Sequence, residues 1–371
     1  MAKSKLRTKL CDMFSIEYPI ILAGMGDVVN DSTVSTGKLC AAVSNAGGLG
    51  MIGGGTMSVE RLREEIRDAK RLTNKPFGVD LLFPAAGSAV QGTVAEIKAQ
   101  LPKDLVKFVD SWYEEFKVPR IKGPETNIFA ETLSRDQWKV VLDEGIKIVA
   151  CGLGTPDWLI PEAHAKGMKV ITLSGNTKQA KRLAAMGPDL IIAQGHEAGG
   201  HTGRIGLMSL LPNVVESVSP IPVVAAGGIV KGNQVAAALT MGAIGVWVGT
   251  AFEATYESPL TEAAKKALLN AGEEDARITK VLTGKTARLM RNSYSEAWEK
   301  AGLSTLPMPY QNYLVRDFFY SLYQSRPDAE IAGSGQGVGM IKKIRSAKEV
   351  VDDLVKDAIE ALEETPKHVL K

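Results

Sequence analysis

The sequence predicts an α/β protein: a closed (β/α)8 TIM barrel with a helical insertion and a C-terminal helical cap. Three observations lead there. Eight short apolar runs rich in Val and Ile recur along the first two thirds of the chain, helical stretches follow most of them, and seven of the eight carry glycine at or beside their last residue. Continuous rather than alternating apolar runs mark strands buried on both faces. Strand–helix alternation repeated eight times marks a parallel sheet, and eight units suit a closed barrel better than an open doubly wound sheet.

In chain order the runs are 19–24, 49–53, 77–83, 146–152, 168–174, 189–194, 222–227 and 244–250. The stretches 58–70, 155–166, 176–186 and 231–241 carry helical spacing between them. The segment 85–135 is too long for a simple βα connection, and its amphipathic patches 94–101 and 106–116 read as a helical insertion above the barrel. After Phe252 the strand pattern is expected to stop. Residues 258–330 read as a helical cap that holds Tyr294, Trp298, Tyr310, Tyr313, Phe318, Phe319, Tyr320 and Tyr323, either over an apolar substrate or as a core. The stretch 347–364 spaces Val350, Val351, Leu354, Ile359 and Leu362 helically, so it should pack back on the barrel. The expected units are therefore a barrel over 1–257, a cap over 258–330 and a closing segment over 331–371.

Composition narrows the function. Forty-four Lys and Arg against 42 Asp and Glu give +2, which predicts no nucleic-acid or membrane footprint. Cys11, Cys40 and Cys151 are scattered, which argues against a disulfide framework or zinc site and for a reducing compartment. No apolar signal core follows the basic N-terminus and no run of about 18 apolar residues exists, so a cytoplasmic location is expected.

A barrel gathers the C-terminal ends of its strands on one face, where its chemistry is done. Those ends here carry Ala23-Gly24-Met25-Gly26, Gly53-Gly54-Gly55, Asp80, Gly152, Ser174-Gly175, Gln194-Gly195, Gly227-Gly228 and Gly249-Thr250. Glycine there serves tight turns, and it also lets a large ligand approach the backbone. Gly227-Gly228 and Gly249-Thr250 end the last two strands, where this fold commonly binds phosphate on backbone N–H groups. Two nucleotide motifs are rejected. Gly48-Leu49-Gly50-Met51-Ile52-Gly53 spans a strand instead of following one. Gly284-Lys285-Thr286 resembles a P-loop tail, but Thr279 stands where the first glycine is required.

The densest chemical run is Gln194-Gly195-His196-Glu197-Ala198-Gly199-Gly200-His201-Thr202-Gly203, just past the sixth strand. Histidine titrates near neutrality and suits proton abstraction, so His201 is the candidate base. No metal is expected, because this Gly-rich spacing fixes no ligand geometry. His164, in a helix, and His368, in the tail, read as solvated.

This run resembles the signature of the nitronate monooxygenase (2-nitropropane dioxygenase) family of FMN-dependent (β/α)8 barrels. So does Ala41-Ala42-Val43-Ser44-Asn45-Ala46-Gly47-Gly48-Leu49-Gly50. Phe77-Gly78-Val79-Asp80, Ala225-Ala226-Gly227-Gly228-Ile229 and Gly245-Val246-Trp247-Val248-Gly249-Thr250 match as well, and Gly335-Gln336-Gly337-Val338-Gly339-Met340-Ile341 is similar to the family's closing motif. The matches run from Pro19 to Ile341. The resemblance implies His201 as catalytic base, with Ala23, Gly24, Met25, Gln194 and Gly199 around FMN. It places Asp80, Gly200, Trp247 and Val248 at the same cofactor, and Gly227, Gly228, Gly249 and Thr250 at its phosphate. His196 falls at a variable position.

The activity implied is oxidation of nitronates or nitroalkanes with O2 to carbonyl compounds and nitrite. The same signature resembles FMN- and NAD(P)H-dependent enoyl-thioester reductases, and a non-catalytic FMN-binding barrel is a third reading. A homodimer is compatible with each. In one departure, Asp80 stands where the family usually has Asn. An ionised Asp only accepts hydrogen bonds and would disfavour an anionic reduced flavin, lowering its potential, unless its own pKa rises.

Overall fold

The computed structural model describes residues 6–84, 90, 92–326 and 329–370; the first part of the predicted insertion, 85–89 and 91, lies outside them. Each predicted run holds a strand. These are β1 Ile20–Leu22, β2 Gly50–Gly53, β3 Phe77–Leu82, β4 Ile148–Gly152, β5 Lys169–Ser174, β6 Leu190–Gln194, β8 Val223–Ala226 and β9 Val246–Val248. All eight run parallel in one sheet, ordered β1-β9-β8-β6-β5-β4-β3-β2. A parallel bridge between Ile21 and Leu49 joins the two ends. There the Leu22 N–H donates to the Leu49 carbonyl and the Leu49 N–H to the Ile20 carbonyl, both at 2.9 Å.

Both faces of this sheet are buried, which explains the continuous apolar runs. Ile21, Met51, Ala150, Ile192, Val224 and Trp247 fill the interior. Leu22, Ile52, Val79, Val149 and Val170 face the surrounding helices. The period of two then sets the mouth: Ala23, Asp80, Gln194 and Ala226 face inward at or near the C-terminal ends of their strands.

The helices carry the capping residues their sequences offer. The Ser58 hydroxyl accepts the Arg61 N–H at 3.3 Å to open Val59–Leu72. Asn176 accepts the Gln179 N–H at 2.8 Å to open Thr177–Ala184. Ser346 and Glu349 form a reciprocal capping box on Ala347–Val369. That last helix buries Val350, Val351, Leu354 and Val355 against the barrel, as its spacing predicts. It lies so close to helix Gly232–Thr240 that a Cβ on Gly232 would stand 2.4 Å from the Ala358 nitrogen.

The region above the barrel departs from the sequence expectation in one respect. Residues 258–330 are mostly helical, but strands do not stop at Phe252. β10 Ala276–Thr279 and β11 Ala287–Met290 form an antiparallel hairpin, and β11 pairs with β7 Gly200–His201. The insertion helices Val94–Ala99 and Lys103–Glu115 pack with Ser293–Ala301 and Tyr310–Ser325 around a second apolar cluster. Trp112 sits at its centre, 5.2 Å from the Phe318 ring and 5.9 Å from Trp298. The late aromatics are thus chiefly a core. Tyr294, Trp298, Tyr313, Phe318, Phe319 and Tyr323 are buried, while Tyr310 and Tyr320 are partly so. The three cysteines are buried and free. No helix among the described residues is long and apolar enough to cross a membrane.

Candidate active site

The loops after β1, β6, β8 and β9 meet at the C-terminal end of the barrel, and the segment 333–337 closes on them. The β1 loop is pinned from below. The Ser35 hydroxyl donates to the Ala23 carbonyl at 2.6 Å and accepts the Met25 N–H at 3.1 Å. Gly24 has no room for a side chain: a Cβ there would lie 2.3 Å from the Asp80 Cβ and 2.4 Å from its Oδ2. The Asp80 carboxyl therefore lies directly on the Gly24 backbone. Met25 and Ala23 border Gly249, whose built Cβ would stand 3.3 Å from the Met25 sulfur and 3.5 Å from the Ala23 Cβ.

The signature run is woven into this face. The Gly195 N–H donates to the Ala226 carbonyl at 2.8 Å, and Gly227 follows at φ 109°, a left-handed conformation that favours glycine. Both carboxylate oxygens of Glu197 accept the Leu207 N–H at 3.0 Å, which serves the otherwise unpaired start of helix Leu207–Val218. Glu197 is thereby a structural cap. His196 makes a 2.8 Å bond between Nδ1 and the Gly203 carbonyl. No group of three or more His, Cys, Asp or Glu among the described residues could hold a metal ion. The Gly335 N–H donates to the Thr250 hydroxyl and the Gln336 N–H to the Glu197 carbonyl, each at 2.9 Å. Gly199 abuts the same segment, with a built Cβ 1.8 Å from the Gly333 oxygen.

His201 lies on β7, paired with Ala287, and is half-buried. Its Nε2 is 2.9 Å from the Thr283 hydroxyl, and the Gln194 amide donates to its backbone carbonyl at 2.8 Å. Burial, and then the positive charge of Lys285, push its pKa down to about 3. The imidazole is neutral over the physiological range. Buried Arg288 ties the hairpin to the signature run by donating to the Ala276 carbonyl at 2.7 Å and the His196 carbonyl at 3.0 Å.

The sequence-predicted residues divide accordingly. Ala23, Gly24, Met25, Asp80, Gln194, Gly199, Gly200, His201, Gly227, Gly228, Gly249 and Thr250 lie around the mouth or in the loops that frame it. Trp247 faces inward but is 6% exposed, packed in the barrel filling level with Ile21 and Ala226. Val248 does not face the mouth: its side chain points to the outer helices, and its carbonyl accepts the Ala23 N–H at 2.8 Å. Period two assigns it outward, a signal the family motif obscured. His164 is bonded to Asp189 at 2.9 Å although exposed, and His368 is exposed. Sequence reasoning missed Thr283, Lys285 and Arg288. Gly284, at φ 80°, marks a turn there, but nothing local to it points to His201.

Comparison with known proteins agrees with this architecture. The family model described as "Nitronate monooxygenase" matches residues 7–357. A Mycobacterium tuberculosis protein with a provisional monooxygenase name, Rv1533, is 37% identical over 96% of this chain and 98% of its own. A Staphylococcus saprophyticus protein named "Probable nitronate monooxygenase" is 32% identical over 96% of this chain and 99% of its own. Among solved structures, nitroalkane oxidase from Streptomyces ansochromogenes superposes with a TM-score of 0.78 at 30% identity, covering 96% of this chain and 99% of that one. FabK from Thermotoga maritima gives 0.74 at 28% identity, covering 98% and 99%. The chain therefore belongs to the nitronate monooxygenase family and is a flavin-dependent oxidoreductase built on the (β/α)8 barrel.

Proposed function

We propose that this protein is an FMN-dependent nitronate monooxygenase that oxidises nitronates and nitroalkanes with O2 to carbonyl compounds and nitrite. The observation that carries the reading is the placement of His201 beside Thr283 and Lys285 where the glycine loops converge. The residues fit a flavin mononucleotide. Gly227 and Gly228 stand at φ 109° and 71°, consecutive left-handed positions with no side chain to block an anion at the end of β8. Asp80 Oδ1 is a buried polar atom at the mouth without a partner among the described residues. In this reading Gly227, Gly228, Gly249 and the Thr250 backbone hold the phosphate. Ala23, Gly24, Met25, Asp80 and the signature loop border the ring. Flavin bound there supplies the electron transfer and the reaction with O2.

The protein's own share is proton handling and charge. Thr283 engages Nε2 of His201, which leaves Nδ1 without a described partner, and Nδ1 takes the α-proton of a neutral nitroalkane. With a pKa of about 3 this imidazole is always free to accept but is a weak base. The charge of Lys285 opposes imidazolium and favours an anion. These features support nitronates, which need no deprotonation, as the preferred form. The test is oxygen uptake and nitrite release with an alkyl nitronate and with its parent nitroalkane, for wild type and His201→Asn. The reading predicts faster nitronate turnover in wild type and selective loss of nitroalkane turnover in the variant. Equal loss for both substrates, or no nitrite from either, contradicts it. The similarity to FabK over nearly the whole chain supports an NAD(P)H-dependent enoyl-thioester reductase as the second reading.

A further inference from the structure

Asp80 faces inward near the C-terminal end of β3 and is 7% exposed. Its register partners are Gly53 on β2 and Ala150 on β4, so neither neighbouring strand offers a polar side chain at that level. The carboxyl rests on the Gly24 backbone. The Gly54 N–H goes to the Asp80 carbonyl at 2.8 Å, not to the carboxyl. Oδ1 is left buried with no hydrogen-bond partner among the described residues.

Charge offers no help either. The titratable side chain electrostatically coupled to Asp80 is the Cys151 thiol, which lies on the outer face of β4 and is itself neutral, pushed up to about 12 mainly by burial. Gly24, Gly53 and Gly54, from the loop after β1, from β2 and from its following loop, bring no charge. A carboxylate buried without a cation or donor is far costlier than its neutral acid. Burial alone pushes the Asp80 pKa up to about 8. The neutral acid carries one O–H, and a buried donor without an acceptor is also disfavoured. A ligand lying across Gly24 would complete it.

We propose that Asp80 meets the bound flavin as a neutral carboxylic acid and donates a hydrogen bond to an acceptor atom of the ring. The inference rests on the flavin reading above. It replaces the expectation that an ionised Asp80 opposes negative charge on the reduced ring. A neutral donor supports that charge, and ionisation at alkaline pH withdraws the support. Asp80 thus makes the flavin's potential depend on pH beyond the protons the flavin itself takes up.

The test is redox-difference infrared spectroscopy of the flavin-loaded enzyme at about pH 6 and about pH 10, either side of the titration. At the lower pH a protonated-carboxyl C=O band should shift when the flavin is reduced. The band should be missing from Asp80→Asn, and missing from wild type at the higher pH. Potentiometry of the same two proteins gives the second readout. Their midpoint potentials should run parallel below about pH 7, with the wild-type value falling away from that of Asp80→Asn above about pH 8. Identical difference spectra, or parallel potentials throughout, overturn the proposal. The wild-type pH series decides by itself if the variant does not fold. Purified protein that holds no flavin defeats the flavin reading; flavin-loaded protein without the band defeats only the role of Asp80.

Discussion

Replacing Asp80 by Asn has a consequence for stability that is separate from catalysis. The folded chain holds this proton up to about pH 8, whereas an unfolded Asp releases it near 3.8. Because the folded pKa is raised, stability is greatest below the unfolded pKa and is lost as pH rises toward the folded one. At pH 7 the difference spans about three pH units, which at 1.36 kcal/mol each is about 4 kcal/mol of destabilisation carried by one side chain. Asn removes the titration. Its amide also needs partners in the same pocket, which costs about 1–3 kcal/mol at any pH. The sign of the change at a single pH is therefore a poor test, whereas its slope is a clean one. Urea unfolding of flavin-free wild type and Asp80→Asn, followed by circular dichroism at several values from about pH 4.5 to 7.5, should show the variant gaining on wild type by about 3–4 kcal/mol across the range. A stability difference that is constant with pH would refute the argument and mean that Asp80 is ionised in the folded protein.

Removing the charge of Lys285 with Lys285→Met should raise the His201 pKa, so that the acid limb of nitroalkane turnover moves to higher pH while KM for anionic nitronates increases; an unchanged pH profile excludes electrostatic contact between the two. Thr283→Val removes the bond to Nε2, and nitroalkane kcat should fall about 10–100-fold, as expected when a proton acceptor is misoriented, with little change in melting temperature. Arg288→Met leaves the Ala276 carbonyl without its donor and the His196 carbonyl with the Thr202 hydroxyl alone, and should cost about 1–3 kcal/mol in denaturant unfolding. Gly199→Ala forces a methyl group into the Gly333 carbonyl, so the protein should purify with substantially less bound flavin, read as the ratio of flavin to protein absorbance.

Much of this structure is legible in the sequence because burial on both faces leaves an unmistakable trace. Ile52, Val149, Ile191 and Val224 each follow or precede another apolar residue, whereas a strand with one solvated face alternates apolar with polar. The helices announce themselves through Ser58, Asn176 and Ser346, whose side chains cap the first turn beyond them. The hairpin above the barrel leaves no such trace. Its strands are four residues long and carry Arg277 and Arg288, and their partner is a two-residue strand far back in the chain. Pairing at that distance depends on tertiary packing, so Thr283 and Lys285 reach His201 without any local sign. The joint core of Trp112 and Phe318 is hidden for the same reason, since each residue alone reads only as an apolar position on a helix. Asp80 is an intermediate case. The sequence marks it as unusual for its family, but its charge state follows from the absence of partners at the mouth, which only the fold determines.

The identity of the compound that reduces the bound flavin separates a monooxygenase from a reductase. Anaerobic mixing of the purified, flavin-loaded enzyme with an alkyl nitronate and, in parallel, with NADH and NADPH, followed by visible absorbance, addresses this in one experiment. A nitronate monooxygenase should lose its yellow colour rapidly with the nitronate and be indifferent to both nicotinamides. Bleaching by NADH or NADPH without any response to the nitronate would contradict that function and make the chain a reductase.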